Sequence, residues 1–330
     1  MVRFSRRGAV CASILTCAFA LATPAIAGDM FGIRDEAFDD PLYTFKIDAE
    51  LSAGQLSGTS HELVYDARTG QKISELIWTM DDVAVIGGKL SARPSHWWSV
   101  DLAGWTNVTQ EATMDDYDWI SPLSTDWSHW SHHNATNLER ALMIDASTKL
   151  TLWRESFFDL NAIAGYRWDK FDWTAKGGSF VYSSDVGFRD MRFVLPPDMV
   201  GISYQQEFRT PYVGLGGHLR LGDFSVEANV LTSWWVTASD VDVHHLRWLE
   251  FQESFDGGNM LRYDIQGRYQ LTDSLAIKAA WEHTDYTEMK GPVRVSIAPG
   301  GPGLAYFPGD SAGADHESDI VSAGVVYTFE

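Results

Sequence analysis

Two short runs pair ionisable side chains two residues apart: Asp116-Tyr117-Asp118-Trp119 and Asp240-Val241-Asp242-Val243-His244. In an extended strand, residues i and i+2 point to the same face. If both runs sit at one rim of a closed barrel, carboxylates and an imidazole converge on a single point. That arrangement suits the activation of water, and it marks a hydrolase rather than a pore.

Strands must position such a site, and alternation is what the chain offers. Tyr43 to Leu56 runs YTFKIDAELSAGQL, with Phe45, Ile47, Ala49 and Leu51 on one face. Residues 224–230 and 275–281 alternate likewise, and Ala323, Val325, Tyr327 and Phe329 share a face. Such segments in an exported chain are the signature of a membrane barrel. The 14 Trp and 12 Tyr suit its interfacial girdles. A soluble periplasmic sandwich alternates too, so loop length decides. Short connections are expected near 93–96, 155–156, 222–223 and 272–274, and long ones near 66–71, 114–138, 176–199, 242–256 and 291–315. Short and long alternate strictly, as periplasmic turns and external loops do.

The fold class expected is all-β, a ten-stranded antiparallel transmembrane β-barrel with long extracellular loops. Its strands fall near 43–65, 72–93, 97–113, 139–153, 158–175, 200–221, 224–241, 257–271, 275–290 and 316–329. The third rises into the loop of Asp116 and Asp118, the seventh into that of Asp242 and His244. Four places apart in a ring of ten, the two runs should face each other across the mouth.

Residues 1–27 read as a secretory signal, with Arg3, Arg6 and Arg7 before an apolar stretch and Ala25-Ile26-Ala27 as the cleavage site. Residues 28–330 then form one barrel domain. Both cysteines, Cys11 and Cys17, lie in the signal, which removes disulfides and thiol chemistry from the remainder. Losing three arginines and no acid takes the formal charge from −20 to −23. So negative a chain disfavours nucleic acid and favours cationic substrates.

The chain resembles the omptins, outer-membrane endopeptidases of Gram-negative bacteria. The likeness rests on Leu56-Ser57-Gly58-Thr59 leading to Glu62-Leu63-Val64-Tyr65, on Ala103-Gly104-Trp105-Thr106, and on Met114 to Trp119. It continues through Gly177-Gly178-Ser179-Phe180-Val181-Tyr182-Ser183-Ser184, Gly187-Phe188-Arg189-Asp190, Pro211-Tyr212-Val213-Gly214-Leu215, and Ala238 to His244. The resemblance implies a groove at the outer end in which Asp116 with Asp118, and Asp242 with His244, form two catalytic couples. It implies cleavage of polypeptides beside basic residues, with Glu62 and Asp240 binding the substrate cation. It implies no cofactor beyond lipopolysaccharide as an activating lipid on the barrel wall, with Tyr166 and Lys170 at matching positions. Trp168 and Glu207 depart from the family's acidic and basic residues there, and a carboxylate at 207 would repel a lipid phosphate.

On this reading His244 is the general base, Asp242 orients it, Asp116 holds the water and Asp118 shares a proton with Asp116. The run Asp126-Trp127-Ser128-His129-Trp130-Ser131-His132-His133 invites a serine-protease reading. Neighbours on a strand point to opposite faces, however, so Ser131 and His132 are badly placed for each other. There is no HExxH-type helix for a metal, and Gly-rich 298–303 lacks the Lys-Ser/Thr of a phosphate loop. The rivals are a non-catalytic adhesin or receptor barrel, and a porin, which needs about 16 strands for an open channel.

Overall fold

A computed structural model describes residues 45–298 and 300–329. The signal expected at 1–27 lies outside the described residues. The elements are β1 (Lys46–Tyr65), β2 (Lys72–Ser95), β3 (Trp98–Asn107), β4 (Glu111–Asp118), β5 (His129–Arg154), β6 (Phe158–Lys176), β7 (Ser179–Tyr182), β8 (Met191–Val194), β9 (Val200–Leu221), β10 (Phe224–His244), β11 (Leu249–Gln270), β12 (Leu275–Ile297) and β13 (Gly303–Phe329). β3 and β4 are one barrel strand interrupted at 108–110, because both pair with β2 and β5. β7 and β8 form a hairpin laid against β5. The ten remaining positions run antiparallel to their neighbours, and β1 pairs with β13 from Ile47↔Phe329 to Val64↔Ala312, closing the ring. Closure satisfies the edges of the ten barrel strands internally, which lipid demands.

The lower half of the ring carries an apolar outer surface, with Leu51, Leu90, Leu102, Leu215, Val230 and Val321 all exposed. A tilted strand crosses the bilayer in about 9–11 residues. Strands of 19 to 27 residues therefore lift the upper half clear of it. Inside the spanning half, charged residues fill the lumen. Arg167 pairs with Asp169 at 2.7 Å and Glu282 at 2.6 Å, and Arg262 joins Glu282 to Asp145 at 2.8 Å each. Tyr212 donates to Asp145 at 2.7 Å. Buried ions need such partners, and these pairs tie β6 to β12 and β11 to β5 across the lumen.

Above the ions lies an aromatic layer that spans the barrel from wall to wall. Trp78 of β2 stacks on Tyr204 of β9 with centroids 5.4 Å apart and meets Trp173 of β6 at 5.8 Å. Phe171 stacks on His316, and Phe208 on Tyr286. These rings form a dry floor beneath the mouth.

The upper connections are shorter than the sequence suggests. The loop expected over 242–256 is a four-residue turn at 245–248, and that over 291–315 shrinks to 298–302. Their flanks read as loop because they are rich in Gly, Pro and acid. Backbone pairing, as in Asp242↔Phe251 and Val293↔Phe307, makes them strand regardless. The segment expected as a loop over 176–199 contains the β7–β8 hairpin. It is launched by Gly177 and Gly178 at φ 60 and 115, and a Cβ on Gly178 would lie 2.7 Å from the His133 ring. Arg189 pins the hairpin, stacking 3.3 Å above Trp127 and pairing with Asp126 at 2.7 Å.

The floor predicts one outcome. Trp78→Ala opens a cavity between Trp173 and Tyr204 and should cost ~3–5 kcal/mol. Heat-dependent gel mobility should show unfolding at a lower temperature; an unchanged transition would deny the floor its structural part.

Candidate active site

Asp116 and Asp118 lie on β4 itself, and Asp242 and His244 on the last residues of β10, so strand and not loop fixes all four. Antiparallel register sets their level. Glu62 on β1 faces Leu76 on β2, Leu76 faces Asp116, and Asp116 faces Ser131 on β5. On the other wall Asp240 faces Gln206 on one side and Glu253 on the other. Glu62, Asp116, Asp240, Asp242 and His244 are all buried within the mouth. The two walls are close enough that charge on Asp242 acts on Asp116 and charge on His244 acts on Asp118. The structure thus brings together the four residues expected to do chemistry.

His244 Nε2 lies 2.6 Å from Asp242 Oδ2. Its other nitrogen, Nδ1, meets the guanidinium of Arg247. An arginine can only donate, so Nδ1 is the acceptor in its closest contact, while Nε2 meets Asp242 as an ion-pair contact and neither Asp242 oxygen is hydrogen-bonded. The ring also packs edge-on against Phe251, which fixes its tilt. Arg247 sits in the 245–248 turn, which is held by His245 N donating to Gly201 O at 2.9 Å and Ala298 N to Trp248 O at 3.0 Å. Trp248 takes φ 55, a left-handed conformation rare outside glycine.

Burial pushes the Asp116 carboxyl well up, and Asp118 and Asp242 add to the rise while Arg247 opposes it. Asp118 is raised as well, first by burial, with Ser74 pulling it down. A pair so placed titrates jointly, and each carboxylate makes it harder for the other to ionise. Glu62 is also held up by burial, then by Asp242, Glu253, Asp240 and Asp116. Asp240 is pushed up to about 7 by burial, although Tyr204 donates to its Oδ2 at 2.9 Å.

Ser131 and His132 are turned apart, as expected of neighbours on a strand. Ser131 Oγ lies 3.1 Å from His133 Nε2, not near His132, and both partners are 2% exposed. His133 Nδ1 has no partner, so no carboxylate completes a triad. His132 turns the other way and pairs with Asp115 at 3.0 Å. Tyr166 and Lys170 stand on the outer wall, away from the cleft. Glu207 faces Lys170, accepts from Trp168 Nε1 at 2.7 Å and pairs with Arg209 at 2.5 Å. Its charge is therefore matched within the wall.

Sequence reasoning missed Arg247 and Glu253. Glu253 was hidden inside the supposed 242–256 loop; its place opposite Asp240 would have followed from extending the strand alternation through it.

The chain and its fold have known relatives. The Omptin family model matches residues 43–329. The chain is 35% identical over 279 residues to the plasminogen activator of Yersinia pestis, covering 84% of this chain and 88% of that protein. It is 30% identical over 315 residues to outer membrane protease OmpP of Escherichia coli strain K12, covering 94% and 98%. Against the crystal structure of outer membrane protease OmpT from Escherichia coli the TM-score is 0.81 at 30% identity, over 87% of this chain and 99% of that one. The chain belongs to the omptin family: it is a β-barrel protease of the outer membrane.

The buried acids make stability depend on pH. Asp240, raised from 3.8 to about 7, favours the fold while protonated. That contribution is complete below about pH 4 and is lost as pH rises through about 7. Asp240→Asn stays neutral, so it should gain on wild type across that window by on the order of a few kcal/mol. Thermal unfolding in detergent from pH 4 to 8 measures the gap, and a pH-independent gap refutes it.

Proposed function

We propose that the cleft hydrolyses peptide bonds beside arginine or lysine, using a water activated between the Asp116–Asp118 and Asp242–His244 couples. The observation that carries this reading is the 2.6 Å approach of His244 Nε2 to Asp242 Oδ2. It leaves Nδ1, on the side of Arg247 and the acid couple, as the ring atom free to take a proton once uncovered. Water held by Asp116 attacks the carbonyl carbon as Nδ1 takes its proton, and Asp242 stabilises the imidazolium. Collapse breaks the C–N bond, and His244 returns the proton to the leaving amine. No covalent enzyme intermediate forms. Arg247 covers Nδ1 at rest, so the guanidinium gives way when substrate enters. Glu62 and Asp240, each with a buried oxygen lacking a partner, bind the substrate cation by charge-assisted hydrogen bonds. Short turns mark the periplasmic end of such barrels, so the cleft faces the exterior.

On the outer wall Arg140 and Arg209 are exposed beside Lys170, which lies 3.9 Å from Asp172. These cations, with Tyr166 below them, form the surface for a lipid phosphate such as that of lipopolysaccharide.

Cleavage of a fluorogenic peptide containing paired basic residues tests the mechanism. His244→Ala and Asp116→Ala should each lose about 10²–10⁴-fold in rate, and Ser131→Ala should not. Arg247→Ala should lower KM; a fall in kcat instead would assign the guanidinium to the developing oxyanion. No turnover by folded wild type supplied with lipopolysaccharide would make the barrel a receptor. For the lipid surface, Lys170→Ala with Arg209→Ala should raise the lipopolysaccharide concentration needed for half-maximal activity. An unchanged requirement removes that assignment.

A further inference from the structure

Three carboxyl groups from three different strands meet in one pocket at the mouth: Glu62 of β1, Asp240 of β10 and Glu253 of β11. They are 2%, 2% and 5% exposed. Each keeps one oxygen without a hydrogen-bond partner, namely Glu62 Oε2, Asp240 Oδ1 and Glu253 Oε2. Among the described residues no lysine or arginine ion-pairs with any of them, although cations partner the lumen acids below. Such groups are costly to bury bare, so the pocket is built for a positive charge that the chain itself does not supply.

Asp240 and Glu253 stand directly opposite each other in register, both buried, and burial with the charge on Asp240 pushes the Glu253 carboxyl well up. Two carboxyls so placed bear one shared proton at lower cost than two charges. We infer that Glu253 is a third specificity-determining carboxyl of this pocket, one that favours arginine over lysine and gives up the proton shared with Asp240 when the substrate cation binds. The inference rests on the proposed role of Glu62 and Asp240 and extends it.

Charge and shape both support it. A guanidinium presents five N–H donors in a planar fork, enough to meet all three unpartnered oxygens. It is also more weakly hydrated than an ammonium, so it enters a dry pocket at lower cost. The balance is one cation in and one proton out: the incoming charge replaces the proton as partner of the Asp240–Glu253 pair. The other groups facing the pair are Glu62 from β1, Asp242 from β10 and Tyr204 from β9, with Asp116 of β4 acting on Glu62. The carboxyls raise its proton affinity. Tyr204 holds the other face of Asp240, and Gln206 Nε2 donates to the Tyr204 hydroxyl at 3.2 Å. Affinity for the cation should therefore rise with pH across neutrality.

The test is calorimetric titration of the full-length protein at pH 7 with n-butylguanidinium and with n-pentylammonium, in two buffers of different ionisation enthalpy. Wild type should release a proton on binding the guanidinium. Glu253→Gln should release fewer protons, and its binding should depend less steeply on pH. In peptide cleavage the same variant should reduce the Arg-over-Lys ratio of kcat/KM by about tenfold, with the loss falling on KM. Glu253→Asp, which keeps the carboxyl, should restore proton release and guards against a Gln variant that misfolds. Proton release and selectivity at wild-type values in folded Glu253→Gln would overturn the inference. If Glu62→Gln and Asp240→Asn also leave selectivity intact, the pocket itself is wrongly placed; if those two lose it and Glu253→Gln does not, only Glu253 is.

Discussion

The pairing of β1 with β13 is the contact on which everything else depends. It joins residues near opposite ends of the chain and makes a sheet into a cylinder. An open sheet in lipid would leave a row of unpaired amide and carbonyl groups, each costing several kcal/mol. Closure also fixes register around the ring, and register sets heights. Glu62 stands level with Asp116 only because β1, β2 and β4 are locked to one another. Asp240 reaches Glu253 for the same reason on the far wall.

With the cylinder closed, its interior is organised by depth. Charged partners fill the part inside the bilayer, where an unpaired ion could not be tolerated. Stacked rings follow, and they separate those ions from the mouth. Tyr204 belongs to both neighbouring layers: its ring stacks on Trp78 and its hydroxyl supports Asp240. Above the rings the acids outnumber their partners. Compensated charge below and uncompensated charge above is the division that separates structural polarity from a working site.

Much of this was legible in the sequence. Alternation gave the ten strands, and the i, i+2 spacing gave the shared face of Asp116 with Asp118 and of Asp242 with His244. Alternation fails where an inward face is itself polar. Residues 249–256 put Glu250 and Glu253 into an acidic mouth, so the pattern looked solvated and strand passed for loop. Pairwise partners were illegible for a different reason. Arg247 meets His244 through a tight turn, Ser131 meets His133 rather than His132, and Glu207 is matched by Arg209. Those contacts depend on side-chain direction and neighbouring strands, which spacing along one segment does not encode.

The filled lumen has a consequence for the cell that carries this protein. A surface enzyme built on a hollow cylinder would perforate the envelope it sits in. Here Arg167 and Arg262 are tied to acids on other strands across the bore, which narrows any path for solutes through the cylinder that carries the cleft.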